Sequence, residues 1–409
     1  MIRDIHVLRT MHQLTGSLQS FLGTSLQGIG RALLWGLVAL TCPAWAGWES
    51  GDFQSLPTLV VPDLAQFVAD ASQMPHPIQG YVVPSQTRTA RFQALLDAVF
   101  SAVDTMLAGY PQGAAPWCDI ATRRAPHAQY AILRLWDQAS QRYFLYLKDI
   151  APAGPQEAYL LINPEPTRRL VLGVPHTRDS TDPQTFENYT AQEGARLFTT
   201  LGARALLING ATRCASPLQS RCTGGTTTQC GPGAVSRPVT VADAAHVTTT
   251  FFYVAHRRLL QHEATLKIAQ LHGKAPGSAQ AIVGDGTPIK KQVGAVSVVF
   301  AQALAGLLGQ RVDACQGTRP PEDALCGTRN AEGRLVNHPG GDACRQGATR
   351  ASGHFLHIEQ NKSLGTSHAD DVGAALRATW WPTTGCDTPN NLGTCDLSPQ
   401  TQTADVACP

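Results

Sequence analysis

Three short segments carry residue types that could do chemistry together. Val174-Pro-His-Thr-Arg-Asp179 supplies His176 and Asp179, Ala269-Gln-Leu-His-Gly273 supplies His272, and Leu356-His-Ile-Glu-Gln-Asn361 supplies Glu359. Two imidazoles, a carboxylate and a further carboxylate are the inventory of a catalytic zinc site: three protein ligands, one open position and a general base. Neutral imidazole nitrogen and carboxylate oxygen hold Zn²⁺ while leaving it Lewis-acidic. The metal lowers the pKa of its water toward 7, and a nearby carboxylate can take the proton. A tight His-x-x-Asp turn lets His176 and Asp179 reach one ion, so the third ligand, His272, must come from a distant strand. Asp182, in Thr181-Asp-Pro-Gln-Thr185, competes with Asp179 as the acidic ligand. Taken singly, each histidine also reads as a hydrogen-bonded structural residue. Glu359 likewise reads as half of a core ion pair, with Arg213 as its partner.

The positions gain meaning from the elements before them. Ala158–Ile162, Leu170–Val174, Ala205–Ile208, Thr265–Leu271 and His354–Ile358 are short apolar runs that predict buried strands. Helical patterns alternate with them at Ala191–Leu201, Val241–His262, Val293–Leu308 and Ser367–Trp380. That alternation predicts an α/β fold: a mixed, mostly parallel sheet with helices on both faces and disulfide-stapled loops, which resembles the phosphorylase/hydrolase-like type. Ligands of such sheets bind outside the carboxyl ends of the strands, and all three chemical segments lie there. Upstream, residues 47–85 read as Pro-rich and irregular. A helix is expected over Gln86–Gly109, and a hairpin from Tyr130–Trp136 and Tyr143–Leu147.

In order and strand-end placement, the three segments resemble the H-x-x-E, single His and strand-borne Glu of the zinc carboxypeptidase-like superfamily. The third is especially similar to that of N-formylglutamate amidohydrolase-like members. The resemblance covers about residues 155–380. It implies His176, Asp179 and His272 as zinc ligands, Glu359 as base, and hydrolysis of an amide bond in a peptide or N-acyl amino acid. Asp stands where the first motif usually has Glu, and related poly-γ-glutamate hydrolases place the acidic ligand later, which keeps Asp182 open. Arg213, Arg329 and Arg334 are candidates to clamp a substrate carboxylate, Arg213 first among them. His246, His256 and His262, with Asp243, read as a solvated helix face or as groups orienting the ligands. Glu193 reads as an acidic residue favoured at a helix N-terminus. A non-catalytic exported binding protein on the same scaffold is the alternative. A serine hydrolase is disfavoured by the absence of a G-x-S-x-G elbow.

Composition narrows the setting. The chain has 409 residues, 43% hydrophobic and 15% charged, with a net charge of +2, so it can bury a large core and carries no basic run suited to nucleic acid or anionic lipid. Residues 1–46 read as a secretory signal. Arg3, Arg9 and Arg31 precede the run Ala32–Leu40, which is too short to span a membrane, and Ala44-Trp-Ala46 forms an A-x-A cleavage site. Met11 is an alternative start. Eleven cysteines less Cys42, lost with the signal, leave ten, an even number expected to form local disulfides in a secreted or periplasmic chain. No C-x-x-C occurs to suggest a zinc knuckle. The expected organisation is a signal over 1–46, an N-terminal segment over 47–150, a zinc hydrolase-like α/β domain over 151–382, and a cysteine-bearing tail over 383–409. After signal removal no membrane partner is expected.

Overall fold

The computed structural model describes residues 51–73, 80–107, 117–152, 157–177, 187, 189–230, 235–289, 291–315, 325–388 and 394–403. They belong to one unit, Ser50–Pro409. The expected signal lies outside them. The strands are β1 (Thr58–Val61), β2 (Tyr130–Asp137), β3 (Arg142–Asp149), β4 (Tyr159–Ile162), β5 (Arg168–Val174), β6 (Ala203–Ile208), β7 (Thr226–Thr227), β8 (Arg237–Pro238), β9 (Lys267–Gly273), β10 (Ala281–Gly284), β11 (Val312–Ala314) and β12 (Phe355–Gln360). The main helices are α1 (Leu64–Gln73), α2 (Gln86–Leu107), α3 (Thr190–Thr200), α4 (Phe251–His262), α5 (Val296–Leu308), α6 (Ala331–Asn337), α7 (Lys362–Ser367) and α8 (Ala369–Trp380).

Ten strands make one sheet in the order β1-β2-β3-β4-β6-β5-β9-β12-β10-β11. Its centre, β6-β5-β9-β12, is wholly parallel. An antiparallel run from β2 to β6 lies on one side, and an antiparallel β10 with parallel β11 lies on the other. This is the mixed, mostly parallel sheet expected from the alternation. On one face Leu170, Leu172, Val174, Leu206, Ala269, Leu271, Leu356 and Ile358 share a core with side chains of α1, α3, α5 and α8. On the other face Phe92 of α2 stacks on Phe251 of α4, with centroids 4.1 Å apart, and lies 4.9 Å from Tyr130 of β2. Helices therefore cover both faces, and burial of those apolar side chains drives the layering.

Three expectations about helices and strands need correction. The stretch read as irregular over 47–85 contains β1 and α1, and Val61, Leu64 and Val68 join the main core. The helix expected from Val241 begins only at Phe251, where the Thr250 side chain accepts the Tyr253 N–H and caps it. Ala242, Ala244 and Ala245 are buried in turns, so an apolar run imitates a helical stripe. Finally, the strands β9 and β12 continue past their expected ends and include His272 and Glu359.

Disulfides join Cys214 to Cys230, Cys222 to Cys344, Cys315 to Cys326 and Cys386 to Cys395, and Cys118 is disulfide-bonded as well. Cys408 lies outside the described residues. The first, third and fourth bridges are local, as expected. The Cys222–Cys344 bridge spans 122 residues and corrects that expectation. It ties the excursion after β6 to the one after α6, beside a backbone bond from Thr223 N–H to Cys344 O of 2.8 Å. Disulfides suit an oxidising compartment. No helix among the described residues is long and apolar enough to cross a membrane.

The tail folds back on the sheet. Gln400 Oε1 accepts the Tyr143 N–H at 2.7 Å. The buried Arg134 donates from Nη1 to Thr403 Oγ1 at 2.9 Å and from Nε to Leu56 O at 3.1 Å.

Candidate metal centre

Alternation along two neighbouring parallel strands builds half of the site. In β9, Ala269 and Leu271 enter the core, which turns Gln270 and His272 to the opposite face; in β12, Leu356 and Ile358 do the same for His357 and Glu359. The register pairs Gln270 with His357 and His272 with Glu359, so four polar side chains stand as a block at the carboxyl ends. The His272 and His357 ring centroids are 4.3 Å apart, and His357 Nε2 lies 3.1 Å from Glu359 Oε1.

Loops bring the other half. His176 follows β5, and its ring centroid lies 5.1 Å from that of His272 across the sheet end. Between the two rings sits Glu187, just before α3. Its Oε2 is 3.4 Å from His176 Nδ1 and its Oε1 is 3.5 Å from His272 Nδ1. Arg213, in the loop after β6, donates from Nη2 to Glu187 Oε2, and the Gly273 N–H donates to Oε1 at 3.3 Å. Arg213 thus pairs with Glu187 rather than with Glu359, whose partner is His357.

The far side of each imidazole is already occupied. His176 Nε2–H donates to Asp243 Oδ1 at 2.9 Å, and His272 Nε2 lies 3.2 Å from Gln270 Oε1. Burial alone would raise the Asp243 carboxyl, but His246, His176 and Arg213 outweigh it and hold it well below the usual carboxylate range. An ionised carboxylate can only accept, so the His176 proton resides on Nε2. His176 Nδ1 is buried without a hydrogen-bond partner. Burial above all, and then the nearby His357, His176 and Arg213, hold His272 well below the ordinary imidazole value. A neutral imidazole is the form that binds metal.

His176, Glu187 and His272 offer ligand atoms within 4.8 Å of one another, as do His272, His357 and Glu359. The first group fits a divalent ion on chemical grounds: two imidazole nitrogens face a carboxylate, one of them orphaned, and each ring is braced from behind. Of the residues read from sequence, His176, His272, Glu359 and Arg213 all line one cleft of about 970 Å³. Asp179 and Asp182 lie outside the described residues. Glu187, eleven residues beyond His176, was not among the candidates, because nothing in Gln184-Thr-Phe-Glu187 distinguishes it from a surface acid. Asp243 is buried in a turn-rich loop and bonded to His176, and so is not part of a solvated helix face.

The remaining candidates divide. Arg329 and Lys274 line the cleft. Arg334 does not reach it: its guanidinium is spent on the carbonyls of Thr328, Ala343, Cys344 and Thr223. His256 is fully buried under β5, where a Cβ on Gly173 would come within 3.1 Å of its Nε2, and His262 pairs with Asp104 at the surface. Glu193 is a buried acceptor of the Gln360 amide, and burial pushes it up to about 8. A scan against protein-family models, a search of curated proteins and a search of solved structures each return no match. The functional reading therefore rests on the chemistry of the cleft itself.

Proposed function

We propose that this protein is an exported zinc-dependent hydrolase that cleaves an amide or peptide bond in a peptide or N-acyl amino acid. What carries the reading is the pair of braced imidazoles, His176 and His272, facing the Glu187 carboxylate between them. These three would hold the ion, leaving a position for water or a substrate carbonyl. A divalent metal there supplies Lewis acidity and lowers the pKa of water toward neutrality.

The protein's own groups do the rest. Glu359, at the same sheet end and held by His357, is the base that takes a proton from water and returns it to the leaving amine. Arg213, beside Glu187, pairs with an anionic group of the substrate, and Lys274 and Arg329 add positive charge to the cleft wall. The likeness of the three segments to the zinc carboxypeptidase-like and N-formylglutamate amidohydrolase-like superfamily supports His176 and His272 as ligands and Glu359 as base, while its acidic ligand, Asp179 or Asp182, differs from Glu187. Export follows from the residues 1–46 signal reading and accords with the disulfides.

Elemental analysis of the purified mature chain, before and after chelation and in a His272→Ala variant, tests the reading. Zinc near one per chain, lost in the variant, together with chelator-sensitive release of amine from N-acyl amino acids or short peptides, supports it. A metal-free chain that binds such a peptide unchanged overturns it and leaves a binding protein on this scaffold. N-terminal sequencing of the exported chain should start at Gly47.

A further inference from the structure

We propose that Gln270 is a positioning residue that fixes which nitrogen of His272 faces the cleft, and that Asn330 in turn fixes Gln270. The proposal rests on the metal reading above.

The constraint starts at a donor that has no choice. The Gly333 backbone N–H can only donate, and it donates to Asn330 Oδ1 at 2.9 Å as α6 begins. The Asn330 amide is thereby oriented, and its Nδ2 donates to Gln270 Oε1. Gln270 Nε2 turns the other way and donates to Glu332 Oε2 at 2.9 Å. Gln270 Oε1 is therefore an acceptor with one lone pair left, and His272 Nε2 is the group beside it at 3.2 Å. Two acceptors cannot meet without a proton between them, so the His272 proton sits on Nε2. The Nδ1 lone pair is left pointing at the Glu187 side, 3.5 Å from Oε1.

Gln270, Asn330 and Glu332 are completely buried, which leaves bulk water no part in choosing these orientations. The two ligands are thus braced differently. His176 leans on a carboxylate, while His272 leans on a neutral amide whose direction is set two residues further back. A main-chain donor at a helix start decides the tautomer of a cleft imidazole.

Zinc affinity, measured by competition with a chromophoric chelator, tests this in four chains: the parent, Gln270→Met, Gln270→Glu and Asn330→Asp. Gln270→Met matches the volume and removes the acceptor. Asn330→Asp keeps a capping oxygen for Gly333 but replaces the Nδ2 donor, so the Gln270 amide turns over and presents N–H to His272. Both should bind zinc about 10–100-fold more weakly, the usual cost of losing such a support, and should shift the visible spectrum of the Co²⁺-loaded protein. Gln270→Glu keeps the acceptor and should stay within about tenfold of the parent. If the parent binds zinc and Gln270→Met and Asn330→Asp bind it within about twofold of the parent, the proposal fails while the metal reading stands. A parent chain that binds no zinc overturns both.

Discussion

The two halves of the cleft are built in different ways. His272, Glu359, Gln270 and His357 belong to adjacent strands, so the β9–β12 register fixes their spacing. Glu187, Arg213 and Asp243 belong to connections, and their places depend on ion pairs, hydrogen bonds and the disulfides that tether the excursion after β6. The comparison teaches that chemistry borne on strands is positioned by the sheet. Chemistry borne on loops must be positioned by special devices, and those devices can be removed one at a time.

The sharpest break on the strand side is Glu359→Gln. It should lower kcat by about 10²–10⁴-fold, the usual worth of a general base, while zinc content and fold stay as they were. A variant with full kcat would remove Glu359 from the reaction. On the loop side, the double variant Cys222→Ser/Cys344→Ser opens a closure of 122 residues. It should cost about 2–5 kcal/mol of stability in denaturant titrations. His272 should keep its neighbours, so residual zinc binding by the folded fraction would separate the two halves.

Asp243→Asn is a gentler test of the loop half. An amide in place of the carboxylate is a weaker acceptor for His176 Nε2–H, and zinc affinity should fall about 10–100-fold. The smallest expected effect comes from the platform under β5. Burial lowers His256 to about 4 from an ordinary 6.5. A neutral buried imidazole whose folded value is depressed contributes stability above the unfolded value, and that stability is lost as pH falls from 6.5 toward 4. Between pH 7 and pH 5.5 the loss should be about 1 kcal/mol. Urea midpoints at the two pH values should show it, and His256→Met should flatten the slope.

The same contrast explains what could be read from the sequence. The central strands, their order with helices and the chemical residues at their ends are legible because a short apolar run is local information. Glu187 was not, since only the return of the chain to α3 brings it between two histidines. Asp243 was mistaken for part of a helix because buried turn alanines mimic a helical stripe. The strand β1 was missed for a similar reason: it is a four-residue edge whose pattern is too short to stand out among prolines. The Cys222–Cys344 link was invisible because sequence proximity says nothing about where two excursions meet.

The Arg134 guanidinium has a consequence for the chain as a whole. It holds Leu56 with one nitrogen and Thr403 with another, deep beside β2. Leu56 and Thr403, far apart in the sequence, are therefore fastened by one buried side chain. A substitution at Thr403 is thereby also a change at Leu56, transmitted through a single guanidinium.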